Sequence, residues 1–296
     1  MTEPRHAEPL PLGGGDGLPY SRGLMARALM ATGVSAVRAY ELALRVGVDL
    51  AARGEDSVDL DRLGKLAVDV LGENEGAQAI RRLRRYDALR ELDLPIIVLI
   101  GGATGTGKST VATEVAYRLG ITRVTSTDFV RQTMRAFLTH DFMPSIHYSS
   151  FEVPPEEEGL GTVEGFVEQT RNVLIGVRGL IDRALTEGWS LVLEGVHLVP
   201  GMLPRIEGAL VVHCVLAIEN PDLHASHFWV RDVRSEGLRP VQKYLDAIGD
   251  IRRLQEFILE QSRAAGVPIV ENGSIELSIG TVMELVLGGA ERLAPV

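Results

Sequence analysis

Gly102-Ala103-Thr104-Gly105-Thr106-Gly107-Lys108-Ser109-Thr110 carries the residue types that hold phosphate, spaced as G-x-x-x-x-G-K-[ST] from Gly102 to Ser109. Glycines let a backbone turn its N–H groups inward, and a helix starting immediately afterwards points its positive end at the same centre. On that logic Lys108 reaches the β- and γ-phosphates of ATP, the Ser109 hydroxyl ligates Mg²⁺ and the Thr110 hydroxyl lies near the α-phosphate. The backbone of Gly102, Ala103, Thr104, Gly105, Thr106 and Gly107 completes the nucleotide site. The context agrees, because the apolar run Pro95 to Ile100 precedes the motif and Val111, Val115, Ala116 and Leu119 follow at helical spacing.

A phosphate cradle implies a nucleotide but not an acceptor. Ser126-Thr127-Asp128 ends the second predicted strand, and the helix after it carries Arg131 and Arg135, four apart and so on one face. Asp128 there would orient an attacking hydroxyl and take its proton, beside two guanidiniums for an anionic acceptor. Capping that helix is its alternative role. Glu194 closes the run Ser190-Leu191-Val192-Leu193 as a Walker-B-like acid, placed for a magnesium-bound water or the acceptor, with a plain strand-end carboxylate as the alternative. Residues 224–244 read as a closing lid, in which Arg234 meets the transferred phosphoryl group while Arg239 and Lys243 meet the substrate. Solvated or ion-paired surface roles stay open for each of these cations. His197 and His224 have no companion at metal-ligand spacing, so a structural role is expected of both.

Positioning these groups requires a parallel sheet, since ligands of open α/β sheets lie outside the carboxyl ends of the strands. From residue 95 onward, short apolar runs at 95–100, 122–125, 190–193, 210–217 and 267–270 alternate with helical patterns, which predicts an α/β fold with a mostly parallel sheet flanked by helices. Residues 18–92 carry only helical spacing and read as a small helical domain. Its last helix, about 75–91, bears Arg81, Arg82, Arg84, Arg85 and Arg90 as a solvated basic face, with an anion site as the alternative. The division expected is therefore a flexible terminus at 1–17, the helical domain at 18–92 and a kinase domain at 93–296, with a surface loop at 154–159.

Composition narrows the partners. Across 296 residues, 40 acidic against 30 basic side chains leave a charge of −10, and no long Lys/Arg block exists, which argues against nucleic acid and anionic membrane as partners. The apolar runs fall short of the ~20 residues a membrane helix needs. Met1 to Gly17 lacks the basic start and apolar stretch of a secretion signal. A cytoplasmic enzyme is expected, with a homo-oligomer left open. Cys214, the only cysteine, sits in the run Leu210 to Leu216 and reads as a buried structural thiol.

Several segments resemble the 2-phosphoglycerate kinase family. They are Ile97 to Ala103 leading into the cradle, Ser126-Thr127-Asp128, His147-Tyr148-Ser149-Ser150-Phe151-Glu152, Glu194-Gly195-Val196-His197-Leu198-Val199-Pro200-Gly201, and Arg252-Arg253-Leu254-Gln255. Asp16 to Leu24 is similar to the opening of that family's ATP-cone-like helical domain. The resemblance implies a P-loop kinase that uses ATP and Mg²⁺ to phosphorylate the 3-hydroxyl of 2-phosphoglycerate, a small anionic substrate. It further implies that His147, Ser149 and Ser150 join Asp128, Arg131, Arg135, Glu194, Arg239 and Lys243 around that substrate. Taken alone, the residues also admit a kinase for another small hydroxy acid or alcohol, or an ATP-binding switch protein.

Overall fold

The computed structural model describes residues 20–90, 92–152, 161–234 and 241–293. The expected flexible terminus, the surface loop at 154–159 and Arg239 lie outside them. Packing divides the chain into two compact units. One comprises residues through Leu94 with Glu114–Thr122 and Ile279 onward, and the other Pro95–Thr113 with Arg123–Ser278.

The first unit contains four consecutive helices, α1 (Arg22–Ala31), α2 (Ala36–Arg53), α3 (Leu60–Leu71) and α4 (Glu73–Arg90). Side chains satisfy orphan amides at two of the starts: Ser21 Oγ accepts from Leu24 N–H at 3.4 Å and Asp59 from Arg62 N–H at 2.7 Å. Met25, Leu29, Leu42, Val46, Leu63 and Leu83 are buried at helical spacing. Two arginines of α4 pair with acids far along the chain. Arg82 and Arg85 bond Glu284 (2.6 Å each) and Arg85 also Glu291 (2.5 Å). Both acids belong to the last helix, α11 (Ile275–Leu293), where Ile279, Val282, Met283, Val286, Leu287 and Ala290 are buried. The expected cut after residue 92 thus differs from the packing, which groups this carboxyl-terminal stretch with the helical unit. An apolar helical stripe in a sequence does not say which partner covers it.

The second unit is built on five parallel strands: β1 (Ile96–Gly101), β2 (Val124–Ser126), β3 (Leu191–Glu194), β4 (Leu210–Ala217) and β5 (Ile269–Glu271), in the order β2-β3-β1-β4-β5. β1 is central and wholly buried, pairing Ile100 with Glu194 on one side and with Cys214 on the other. Ile97 and Leu99 pack with Leu191 and Leu193 under α7 (Thr162–Thr186), against Val173, Val177 and Ile181. Around the ends of the strands, Val215, Ala217 and Val196 pack with Phe228 of α8 (Pro221–Arg234) and with Ile251, Leu254 and Ile258 of α10 (Ile248–Ala265). The crossover after β1 is α5 (Lys108–Leu119), α6 (Thr127–Phe137) follows β2, and the short α9 (Val241–Asp246) precedes α10. Burial pushes the Cys214 thiol up to about 12, in keeping with an inert core residue. No helix among the described residues is long and apolar enough to cross a membrane.

Removing residues 1–92 strips the first unit from around the six buried α11 side chains. Exposing one large apolar side chain costs about 1.5–3 kcal/mol, so losing most of this set approaches the 5–15 kcal/mol that holds a whole domain together. A chain beginning at residue 93 should therefore be insoluble or melt far below the full chain in thermal denaturation; an unchanged melting temperature would contradict this packing.

Candidate active site

The loop between β1 and α5 turns on glycines of positive φ, and several of its carbonyls are held by side chains. Gly102 and Gly105 take φ of +136° and +87°. A Cβ would collide with Leu216 O at the first and come within 2.5 Å of the Phe228 ring at the second. Four of the loop carbonyls have side-chain partners. Ala103 O accepts from Lys108 Nζ at 2.7 Å and Thr106 Oγ1 at 3.0 Å, and Thr106 O accepts from Asn272 Nδ2 at 2.8 Å. Two histidines of α8 hold the rest: His224 Nε2–H donates to Thr104 O (2.8 Å) and His227 Nδ1–H to Gly105 O (2.9 Å). Burial pushes the His224 imidazole down to about 4, so it is a neutral donor. Burial also pulls the Lys108 ammonium below its ordinary range, opposed by the Glu194 and Asp128 carboxylates. Thr110 is exposed in the first turn of α5.

Beside the cradle, Ser109 Oγ donates to Glu194 Oε1 at 2.8 Å. A cavity of about 360 Å³ opens there, lined by Ser109, Thr113, Thr125, Ser126 and Glu194 with Val124 and Phe129. The adjacent strand end carries Asp128 in the first turn of α6. The cap of that helix is Ser126, whose Oγ accepts from Phe129 N–H at 3.1 Å, so the capping alternative for Asp128 fails. Asp128 is free of that duty, 58% exposed and 3.5 Å from Arg131 Nη2.

Arg131 and Arg135 share a helix but not an environment. Arg131 is buried and donates Nη1 to Ile146 O (3.0 Å) and Tyr148 O (2.7 Å), while its Nε has no partner among the described residues. Arg135 is half-buried and reaches Gln132 Oε1 at 3.3 Å. Of the segment 147–152, His147 is turned to Leu138 O (3.1 Å), and Ser150 is buried. Ser149 and Lys243 come together: Lys243 Nζ lies 3.2 Å from Ser149 Oγ and 2.8 Å from Glu152, whose other oxygen accepts the Ser149 amide at 2.8 Å. The side chain of Arg234 lies outside the described part. No cluster of three or more His, Cys, Asp or Glu side chains suited to a metal exists among the described residues.

Four residues escaped sequence reasoning. Asn272 and His227 serve loop carbonyls distant in sequence; the place of Asn272 at a strand end hints at it, while His227 lies within α8 and carries no local signal. Thr127 and Gln169 join His197 in a buried network, with His197 Nδ1 2.8 Å from Thr127 Oγ1 and Nε2 2.8 Å from Gln169 Oε1. Gln169 was visible in principle, as an amide on the stripe Phe166, Val173, Val177, Ile181 that α7 otherwise fills with apolar side chains.

Cradle, strand order and paired acids at neighbouring strand ends define a P-loop kinase. No protein-family model matches the chain. It is 34% identical over 272 residues to the 2-phosphoglycerate kinase of Pyrococcus horikoshii, covering 90% of this chain and 89% of that one. With the enzyme of that name from Methanocaldococcus jannaschii it shares 35% over 284 residues, 93% and 89% of the two chains. Among solved structures, a shikimate kinase from Acinetobacter baumannii in complex with shikimate covers 69% of this chain and 97% of its own at 19% identity and a TM-score of 0.40. A gluconokinase from Sinorhizobium meliloti covers 68% and 94% at 14% identity and 0.36. The chain belongs to the 2-phosphoglycerate kinase family.

Gly105→Ala tests the cradle's construction. A side chain held at positive φ costs about 1–2 kcal/mol, and the new methyl group must also displace the Phe228 ring. ATP affinity measured by titration should fall roughly tenfold or more, with the melting temperature down by a few degrees. Unchanged affinity would mean that the loop does not bind the phosphates in this form.

Proposed function

We propose that this chain transfers the γ-phosphoryl group of ATP to the 3-hydroxyl of 2-phosphoglycerate, giving 2,3-diphosphoglycerate and ADP. The observation that carries this reading is the relationship to proteins named 2-phosphoglycerate kinase over about nine-tenths of both chains, through cradle and acceptor side alike. In this reading the loop amides and Lys108 hold the β- and γ-phosphates, and the buried ammonium recovers in contact with anionic oxygen what burial costs it.

Ser109 and Glu194 fit a Mg²⁺ ion. One hydroxyl and one carboxylate, 2.8 Å apart beside an open cavity, are hard oxygen donors that leave the remaining positions to phosphate oxygens and water. The ion, when bound, supplies charge neutralisation on the phosphates. Asp128 orients the acceptor hydroxyl and accepts its proton as the phosphoryl group passes across. In a loose transition state this is mostly a positioning duty.

The acceptor brings a phosphate and a carboxylate. Arg131 offers the buried Nε, whose lack of a partner costs about 1–3 kcal/mol that an anionic oxygen would recover. In the same reading Arg135, His147, Ser149, Ser150, Arg239 and Lys243 bind the substrate, and Arg234 neutralises the transferred group. The helical part through residue 92 serves as an ATP-cone-like accessory domain, and the enzyme works in the cytoplasm.

Acceptor-dependent ADP release, measured across glycerate, 2-phosphoglycerate, 3-phosphoglycerate, gluconate and shikimate, discriminates the substrate. We expect kcat/KM for 2-phosphoglycerate to exceed that for every other compound by at least 100-fold, because glycerate, gluconate and shikimate lack the phosphate and leave a cationic partner unpaired, while 3-phosphoglycerate carries both anionic groups but presents its free hydroxyl at carbon 2 in place of carbon 3. A higher value for any other acceptor would refute the assignment.

A further inference from the structure

The strand-end turns carrying Glu194 and Asp128 are tied by one buried histidine. Gln169 Nε2 donates to Ser145 O (2.6 Å) and Tyr148 O (3.1 Å), which leaves its Oε1 as an acceptor. The hydrogen facing that oxygen at 2.8 Å must then come from His197 Nε2. His197 Nδ1 is left with its lone pair and accepts the Thr127 hydroxyl at 2.8 Å. This tautomer is assigned from the network.

Thr127 and His197 are fully buried and Gln169 is 3% exposed, so water cannot replace a lost partner. Gly195 permits the approach, because a Cβ there would strike Thr127 Oγ1. One turn along α6, Arg131 donates to the same Tyr148 carbonyl that Gln169 holds. The bonds form a closed ring: Thr127 to His197, to Gln169, to Tyr148 O, to Arg131, and back through α6. Phe166 stacks on the imidazole at 6.0 Å between centroids. Burial pushes His197 down to about 3, so the ring keeps one protonation state across the working range of pH.

We propose that His197 is a positioning residue that holds Asp128 in place against Glu194 through Thr127, and holds the substrate-side segment 145–148 in place through Gln169. The proposal rests on Asp128 acting on the acceptor hydroxyl, as read above. It assigns the ring to geometry around the acceptor and not to the nucleotide.

Thr127→Val keeps shape and burial but deletes the hydroxyl. At saturating ATP it should lower kcat about 10- to 100-fold, the loss expected from a sub-ångström misplacement of a catalytic group, while the ATP dissociation constant from titration stays within threefold. Thr127→Ser, which retains the O–H, should recover most of the loss. Asp128→Asn should lose roughly 10²–10⁴ in kcat with near-normal ATP affinity, and adding Thr127→Val to it should cost less than a further threefold, since the ring then has no base to aim. Asp128→Asn near wild type would remove the base assignment and this inference with it. Asp128→Asn impaired but Thr127→Val intact, or a Thr127→Val loss shared by ATP affinity, would sink the inference alone. Should Thr127→Val not fold, Gln169→Met carries the test from the other end, with acceptor KM up at least tenfold and ATP affinity unchanged; an unaltered acceptor KM would overturn the proposal.

Discussion

A phosphate cradle can aim its amides inward only if its carbonyls are satisfied outward, and the second unit is arranged around that requirement. Buried backbone acceptors need partners, and here they come from three places: Lys108 and Thr106 within the loop, His224 and His227 from α8, and Asn272 from the end of β5. Asn272 is itself fixed by Ser278 Oγ at 2.8 Å. The strand order puts β4 and β5 beside β1 on the side where these donors begin, and β3 with β2 on the other, where the two acids stand. One edge of the sheet thus shapes the loop after β1 while the other carries the Glu194 and Asp128 carboxylates.

That division accounts for which parts were legible in the sequence. β1 and the cradle were, because an apolar run of six followed by glycines at fixed spacing has one physical use. Glu194 was, because it ends a buried strand. The role of Ser126 was not, since Ser126 and Asp128 both suit the start of α6, and only the geometry makes Ser126 the cap. Nor was the difference between Arg131 and Arg135. Equal spacing on a helix says nothing of the carbonyls of Ile146 and Tyr148 that bury the first guanidinium and leave the second beside Gln132. The grouping of Ile279 onward with the helical unit was hidden for a similar reason, as partners far apart in the chain leave no local mark.

Neutral buried histidines recur in this site with a common purpose. His224 and His197 are both held uncharged by burial, and each spends an N–H on an oxygen that must not move, a loop carbonyl in one case and the Gln169 amide in the other. Neither lies at metal spacing, and the structural role expected of them proves to be a specific one. Charge at the site is carried by Lys108, Glu194, Asp128 and Arg131; burial depresses the Lys108 ammonium, and the Glu194 and Asp128 carboxylates oppose that shift.

The central claim is a defined transfer: ATP as donor, the 3-hydroxyl of 2-phosphoglycerate as acceptor. Phosphorus NMR of the complete reaction mixture, with ATP, Mg²⁺ and 2-phosphoglycerate, tests it most directly. 2,3-Diphosphoglycerate should appear in equal amount with ADP while the phosphate at carbon 2 remains in place. ADP accompanied only by inorganic phosphate, or a product phosphorylated on any other oxygen, would contradict it.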